Sequence, residues 1–236
     1  MGNIRTGDET FHQAWLPWIT AVGKIIAKNE IGKGGVSTIL RCNAWRPYSL
    51  FQTIILNQIE NELQQTRHTA GDTLVVYMQQ IQKAFRNAGV TVPFNSNEKG
   101  MRSQSWSTDY QNVGGAVDIY GLDSYPGGLS CTNPNTGFNV VRTYHQWFAN
   151  YSFTQPSFLP EFEGGWFSGW GSPTFYDEVR SDRPKHPIPS MAKDFQCTSE
   201  HDPAFPDVYY KNNIGQRVTM QSIYMTFGGT NWGHCE

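Results

Sequence analysis

Five apolar runs in this sequence are followed at their carboxyl ends by side chains that could do chemistry. Glu62 closes the run at 53 to 62, and Glu161 lies within the run at 158 to 163. These two runs and the runs at 90 to 97, 116 to 125 and 222 to 232 also supply amides, carboxylates and aromatic rings: Asn61, Asn95, Asn97, Glu98, Asp123, Tyr125, Glu163, Asn231 and Trp232. Two carboxylates on different strands can cleave a glycosidic bond when one is protonated and the other ionised. A lone glutamate at a strand end is more often structural, so the pair indicates this chemistry without establishing it.

Aromatic side chains follow the two acids. Trp166 and Trp170 follow the run that contains Glu161, and Trp232 ends the run at 222 to 232. An indole face could bind the C–H face of a sugar ring, but each ring could equally cover the mouth of the fold.

The runs alternate with helical patterns. Residues 9 to 28 carry an apolar stripe at steps of three and four, formed by Phe11, Trp15, Trp18, Ile19, Val22, Ile25 and Ile26. Pro17 predicts a kink in that helix or a later start. A second helix is predicted over 72 to 88, with Asp72 as N-cap and Gly89 beyond its end. A third surrounds 140 to 151.

Strands that alternate with helices indicate parallel βα units, and we predict an α/β fold of the (β/α)8 barrel type. The carboxyl ends of barrel strands form one rim, which would bring the polar groups together. A doubly wound sheet is the competing architecture, but the glycine-rich segment GKGG at 32 to 35 does not fit its phosphate-binding loop.

Composition narrows the function classes. The chain has 236 residues and a net charge of -2, so it offers no basic field for nucleic acid or anionic lipid. No apolar run is long enough to span a membrane, and residues 1 to 20 do not read as a signal peptide. Neither the four cysteines nor the six histidines show metal-binding spacing, so we expect no metal and no cofactor.

Five motifs then carry a resemblance. In chain order they are LNQIENE, VPFNSNE, DIYGLDSYPGG, LPEFEGGWFSGWG and YMTFGGTNWGH. They resemble the fungal β-galactosidases of glycoside hydrolase family 35, and the resemblance covers most of residues 4 to 234. It implies a retaining enzyme that releases terminal β-galactose, with a catalytic barrel inside a larger, secreted protein.

The resemblance also implies residue roles. Glu62 would be the acid/base and Glu161 the nucleophile, with their carboxyls about 5 to 5.5 Å apart. Asn61 would bind the 2-hydroxyl of the sugar, and Tyr125, Trp166 and Trp232 would contribute to the galactose pocket.

Compared with the family, the chain looks incomplete. The resemblance implies that barrel strands one to three are missing and that the chain carries strands four to eight. Because open strand edges destabilise a barrel, we expect the chain alone to be unstable and to show little activity. The alternative is an inactive fragment or pseudoenzyme with weak galactoside binding at most. Another retaining glycosidase would share the mechanism, but GGTNWG and DSYPGG favour galactose.

Two segments have no counterpart in the family pattern, namely 36 to 52 and 179 to 196. Both begin with valine and end with Phe-Gln, as translated introns between a GT donor and a pyrimidine-CAG acceptor would. We interpret them as retained introns; two surface-loop insertions are the alternative.

Secretion of the parent protein rests on weaker features. By position, Cys131 and Cys197 resemble a disulfide of the family, which fits an oxidising compartment. The sequon at Asn150 is a possible glycosylation site in an extracellular protein.

Overall fold

The fold was analysed in a computed structural model of the chain. It describes residues 3–31, 33, 54–63, 68–101, 106–110, 112–124, 141–162 and 204–224. Four helices lie in these ranges: α1 (Glu9–Lys28), α2 (Thr73–Asn87), α3 (Tyr144–Tyr151) and α4 (Ala204–Gly215). The strands are β1 (Asn57–Asn61), β2 (Phe94–Lys99), β3 (Ile119–Asp123), β4 (Phe158–Phe162) and β5 (Met220–Ile223).

The five strands occur in the sheet in the same order as in the chain. β1 pairs with β2, and β4 with β5, in parallel. Parallel neighbours joined through helices are the βα units that the sequence predicts. The α/β class is therefore confirmed, whereas the absence of barrel strands one to three stays a prediction.

The chain divides into two compact units. The first comprises Met1–Leu122 and Ala149–Pro156, and the second comprises Asp123–Phe148 and Ser157–Glu236. β1 and β2 belong to the first unit, and β4 and β5 belong to the second.

Helix α1 runs over the predicted range without a break at Pro17. The Asp8 carboxylate caps it by accepting a hydrogen bond from the Phe11 N–H at 3.1 Å. The predicted apolar stripe is only partly buried, because Trp18 is 64% exposed and Ile25 is 62% exposed. The described residues therefore bury only part of the apolar face of α1.

Helix α2 packs its apolar face into the core of the first unit. Its N-cap is Asp72, as predicted, whose carboxylate accepts from the N–H groups of Leu74 and Val75 at 2.9 Å. Gly89 follows the helix at φ 97°, a conformation that glycine adopts without steric cost. The buried residues of the helix are Val75, Tyr77, Met78, Ile81, Ala84 and Phe85.

The second unit contains one helix that the sequence reading did not predict. Helix α4 precedes β5, and its Tyr209 is buried. The predicted strand at 222 to 232 begins earlier than expected, because β5 covers Met220–Ile223. Residues 225 to 232 lie outside the described ranges.

The buried carboxylate of Glu30 links the segment after α1 to the segment before β2. Glu30 accepts hydrogen bonds from the N–H and hydroxyl of Thr91, both at 2.6 Å, and from the Val92 N–H at 3.1 Å. Lys33 Nζ lies 3.0 Å from the same carboxylate. Burial by itself would raise the pKa of Glu30, but these donors outweigh burial and lower the pKa to about 2.

We expect Glu30→Gln to destabilise the chain at neutral pH by about 1–3 kcal/mol, because Thr91 and Val92 would lose a charged acceptor. A carboxylate whose pKa is depressed in the folded state stabilises above its unfolded pKa and stops stabilising as the pH falls through its folded pKa. The difference from the unsubstituted chain should therefore shrink between about pH 4.5 and about pH 2. Urea unfolding at several pH values measures it.

Glu9→Gln is the matched control, because Glu9 is exposed at the start of α1. It should change the unfolding free energy much less. A Glu30→Gln effect that is equal at pH 7 and pH 3 would contradict this account of the ion pair.

Candidate active site

The Asn61–Glu62 pair follows a bulge in β1. Gln58 pairs with Asn95 and Glu60 pairs with Ser96, so β1 contains one residue more than β2 over the same step. Pairing resumes at Glu60 and continues with Asn61 opposite Asn97. A bulge bends its strand and changes where the following side chains point, and bulges are frequent at barrel rims and beside active sites.

Glu62 occupies a strained backbone conformation. Its φ of 48° lies in the left-handed region, which disfavours every residue with a Cβ atom. The Glu62 N–H donates to the Asn97 carbonyl at 2.7 Å, which holds the backbone in place. Lys99 Nζ lies 3.4 Å from Glu62 Oε2, and the side chain of Glu62 is 33% exposed. A solute can therefore reach the carboxyl group.

Asn61 is oriented by two amides. Its Oδ1 accepts from Asn97 Nδ2 at 3.0 Å and from Gln58 Nε2 at 3.2 Å. Because both donors bind the oxygen, the Nδ2 group is the part of the amide that remains to bind a ligand, and it does so as a donor. That donor is suited to a sugar hydroxyl.

A second set of contacts holds the backbone of the pair. Arg5 donates through Nη2 to the Asn61 carbonyl at 2.6 Å and through Nε to Glu60 Oε1 at 2.9 Å. Glu60 also accepts from the Asn61 N–H at 2.6 Å and from the Tyr77 hydroxyl at 2.9 Å. The side chain of Glu60 is only 10% exposed. The hydrogen bond to Glu60 raises the pKa of Arg5, while burial and the charge of Glu60 raise the pKa of Tyr77.

A pocket of about 350 Å³ lies between α1, β1 and α2. Its lining includes three aromatic residues of α1, with Glu60 and Asn61 from β1. Glu62 is not among its lining residues. The pocket therefore meets the predicted sugar site at Asn61 alone, and its volume does not describe the galactose pocket.

Glu161 lies next to the last residue of β4, where the strand pairing is also irregular. Leu159 pairs with Gln221 and Phe162 pairs with Ile223, so β4 contains one residue more than β5 between these two pairs. Pro160 lies inside this step and cannot donate a hydrogen bond to a neighbouring strand. Glu161 belongs to the second unit and Glu62 to the first, so the predicted separation of their carboxyls stays a prediction.

The other predicted site residues fall mostly outside the described ranges. These are Tyr125, Trp166, Trp232, Cys131 and Cys197, together with segments 36 to 52 and 179 to 196. The residue before Tyr125 is held, because the Tyr144 hydroxyl donates to the Ser124 carbonyl at 3.1 Å. Asn150 is exposed in α3, as a glycosylation site must be.

The sequence reading missed Arg5, Glu60, Tyr77 and Lys99. For Glu60 an indication was available: a carboxylate inside a strand predicted to be buried requires a partner. Nothing in the sequence pattern shows that the partners come from residues 5 and 77.

Among the described residues, no helix is both long enough and apolar enough to cross a membrane. The same residues contain no group of three or more histidine, cysteine, aspartate or glutamate side chains arranged to hold a metal ion.

Glu98, another polar residue of the predicted strand ends, is buried in β2. Its Oε1 accepts a hydrogen bond from the Trp106 N–H at 2.8 Å. This contact gives Glu98 a structural role in the first unit.

Parallel strands that carry an Asn–Glu pair and a further glutamate at their carboxyl ends are features of a glycoside hydrolase. Comparison with known families agrees, since the model for glycosyl hydrolases family 35 matches residues 1–236. The chain belongs to glycosyl hydrolases family 35.

Relatives with curated names are fungal. The chain is 61% identical over 233 residues to a probable beta-galactosidase C of Aspergillus niger, covering 99% of the chain and 20% of that protein. It is 60% identical over 234 residues to a probable beta-galactosidase C of Aspergillus fumigatus, with the same coverage. The chain thus spans about a fifth of the length of these relatives. The resemblance read from the five motifs is confirmed.

Among solved structures, the chain is similar to a β-glucuronidase from Ruminococcus gnavus in complex with D-glucuronic acid. The TM-score is 0.44 at 10% sequence identity, covering 93% of this chain and 32% of that one. A score at this level adds nothing to the family assignment.

The positive φ of Glu62 leads to a stability prediction. Glycine tolerates φ 48° whereas alanine does not, so Glu62→Gly should be more stable than Glu62→Ala by about 1 kcal/mol. Both variants remove the carboxylate, so the comparison isolates the backbone. Urea unfolding midpoints measure the difference.

Position 9 supplies the control pair. Glu9 lies in the first turn of α1, where alanine is favoured over glycine, so Glu9→Ala should be the more stable of its pair. The same order at both positions would mean that the backbone at Glu62 is not strained.

Proposed function

We propose that this chain is part of the catalytic barrel of a retaining β-galactosidase. The proposal is carried by one observation: Glu62 directly follows the last residue of β1, and Glu161 precedes the last residue of β4, in strands of a parallel sheet. Membership of family 35 and the names of the fungal relatives, probable beta-galactosidase C, support galactose as the sugar. The substrate would be a β-galactoside, cleaved without a cofactor.

The reaction would proceed in two displacements. The Glu161 carboxylate attacks the anomeric carbon while the Glu62 carboxyl donates its proton to the leaving oxygen, which gives an α-linked galactosyl ester and a free alcohol. Glu62, now ionised, takes a proton from water, and that water attacks the anomeric carbon and releases Glu161. Two inversions return galactose in the β configuration.

The remaining roles concern binding. Asn61 Nδ2 would donate to the 2-hydroxyl of the sugar, an interaction that can strengthen as charge develops in the transition state. Tyr125, Trp166 and Trp232 would line the galactose pocket. A secreted parent protein would carry the Cys131–Cys197 bridge and a glycan on Asn150.

Substitution of the two acids tests the mechanism. Glu62→Gln should lower kcat/KM for an alkyl β-galactoside by about 10²–10⁴-fold, because general acid catalysis is lost. Glu161→Gln should abolish turnover, since no ester can form. Unimpaired hydrolysis by either variant would refute its role.

Azide distinguishes the two acids by the product that it gives. In Glu161→Gly, azide can fill the space of the carboxylate and attack an activated galactoside opposite the leaving group, which yields α-galactosyl azide. In Glu62→Gly, azide attacks the galactosyl ester from the other face and yields β-galactosyl azide. NMR of the anomeric proton identifies each product. A β-azide from the Glu161 variant would reverse the assignment.

The share of the relatives that this chain covers leads to a further prediction. We expect the chain alone to hydrolyse a chromogenic galactoside poorly, and a chimera to hydrolyse it well when the chain replaces the matching segment of the Aspergillus niger relative. The chimera supplies the remainder of the relative, of which the chain covers 20%. Equal specific activity of the two proteins would show that the chain is sufficient, whereas an inactive chimera beside an active unaltered relative would favour the pseudoenzyme.

A further inference from the structure

Resting on the proposed function, we propose that Arg5, Glu60 and Tyr77 are positioning residues that hold the acid/base Glu62 through the backbone of Asn61. None of the three belongs to the proposed chemistry, and they come from three separate parts of the chain: the segment before α1, the strand β1 and the helix α2.

The contacts converge on the backbone of one residue, Asn61. The Asn61 carbonyl accepts from Arg5 Nη2 at 2.6 Å, and the Asn61 N–H donates to Glu60 Oε2 at 2.6 Å. Arg5 and Glu60 are themselves joined by Arg5 Nε to Glu60 Oε1 at 2.9 Å. Both polar groups of the Asn61 backbone are thus tied to a single ion pair.

Helix α2 anchors that ion pair. The Tyr77 hydroxyl donates to Glu60 Oε1 at 2.9 Å, and Tyr77 is buried in the core of the first unit. A largely buried carboxylate with several charged or strong donors has little freedom to move, so Glu60 forms a fixed point for β1.

The strand needs a fixed point here for two reasons. The bulge interrupts the pairing between β1 and β2 just before Asn61. Glu62 has a positive φ, a conformation that persists only where its surroundings impose it. The hydrogen bond from the Glu62 N–H to Asn97 acts from the β2 side. Arg5 acts on the carbonyl of that same Asn61–Glu62 peptide, and Glu60 acts on the N–H of the preceding peptide.

Loss of the positioning contacts should impair proton transfer to the leaving oxygen more than it impairs attack by Glu161. A misplacement of about 1 Å can reduce a rate by about 10²-fold. A leaving group that is already a weak base, such as 2,4-dinitrophenolate, departs without a proton. An alkoxide does not. The ratio of kcat/KM for dinitrophenyl and methyl β-galactosides therefore reports the position of the acid, and a general loss of folded enzyme leaves that ratio unchanged.

The test uses Arg5→Lys, Glu60→Gln and the milder Tyr77→Phe in the chimera with the Aspergillus niger relative. Arg5→Lys keeps the charge but loses the fork that reaches both Glu60 and Asn61. For Arg5→Lys and Glu60→Gln, kcat/KM for the methyl galactoside should fall by about 10–100-fold, with a change below about 3-fold for the dinitrophenyl galactoside. Tyr77→Phe should move the ratio in the same direction by less.

Arg86→Lys is the matched control. Arg86 is also a half-exposed arginine of the first unit, paired with Asp118 at 3.0 Å, and its other hydrogen bonds go to the carbonyls of Val90 and Val92, away from Asn61 and Glu62. Its ratio should equal that of the unsubstituted chimera. Glu62→Gln is the reference for complete loss of the acid.

The outcomes separate the two proposals. If Glu62→Gln leaves the ratio unchanged, the acid/base role fails. If Glu62→Gln shifts the ratio but Arg5→Lys and Glu60→Gln lower both substrates equally, or neither, the positioning role fails and the proposed function stands.

Hydrogen exchange gives a readout that needs no turnover. In the chain and in the chimera, Glu60→Gln should speed exchange of the Asn61 and Glu62 amides, and Arg86→Lys should not. Unchanged exchange at both amides in the Glu60→Gln protein would overturn the positioning role.

Discussion

A carboxylate that is removed from water must be matched by donors, and in the first unit that requirement organises the chain around Glu60. The donors are a guanidinium, a tyrosine hydroxyl and a backbone N–H, contributed by residues 5, 77 and 61. Residues far apart in sequence are thereby fixed at the end of β1, beside the Asn61–Glu62 pair. Glu30 obeys the same requirement where α1 meets β2, with donors from Thr91 and Val92. The presence of the Arg5–Glu60 and Lys33–Glu30 ion pairs does not by itself show that they stabilise the fold. The loss of one partner, however, would leave a largely buried charge without its donor.

The two strands that carry the proposed acids share an irregularity. In β1 the extra residue precedes Glu62, and in β4 it falls in the step that contains Glu161. A regular parallel strand sends alternate side chains to opposite faces, so it offers few ways to aim a carboxylate along the sheet toward a ligand at its edge. An extra residue breaks that alternation locally. Pro160 makes the break in β4 inexpensive, since proline has no N–H to lose from the ladder. In β1 no proline is present, and contacts from Arg5 and Asn97 hold the conformation instead.

What the sequence predicts well is set by local rules. The ranges of α1 and α2, the Asp72 cap and the parallel α/β class follow from apolar periodicity, capping and alternation of elements, and the structure agrees. What it predicts poorly depends on tertiary partners. The apolar stripe of α1 gives no means of knowing that Trp18 and Ile25 are exposed. The residue types around Ile59 do not indicate the bulge in β1. The partner of Glu60 lies 55 residues away, so only its need for a partner could be inferred. Helix α4 was missed because its apolar residues show little helical periodicity.

The proposed acid and nucleophile differ in how their positions are determined. The hydrogen bonds described for the Asn61 side chain and for the Asn61–Glu62 backbone come from the first unit, through residues 5, 58, 60 and 97. Glu161 is placed by the strand pairing of the second unit, through Leu159 and Phe162. Double displacement requires both carboxyls within reach of one anomeric carbon. A well-formed local geometry around each acid is therefore necessary for the proposed reaction but does not by itself allow it. The proposed reaction would therefore depend on the separation of the two acids as well as on the packing around each of them.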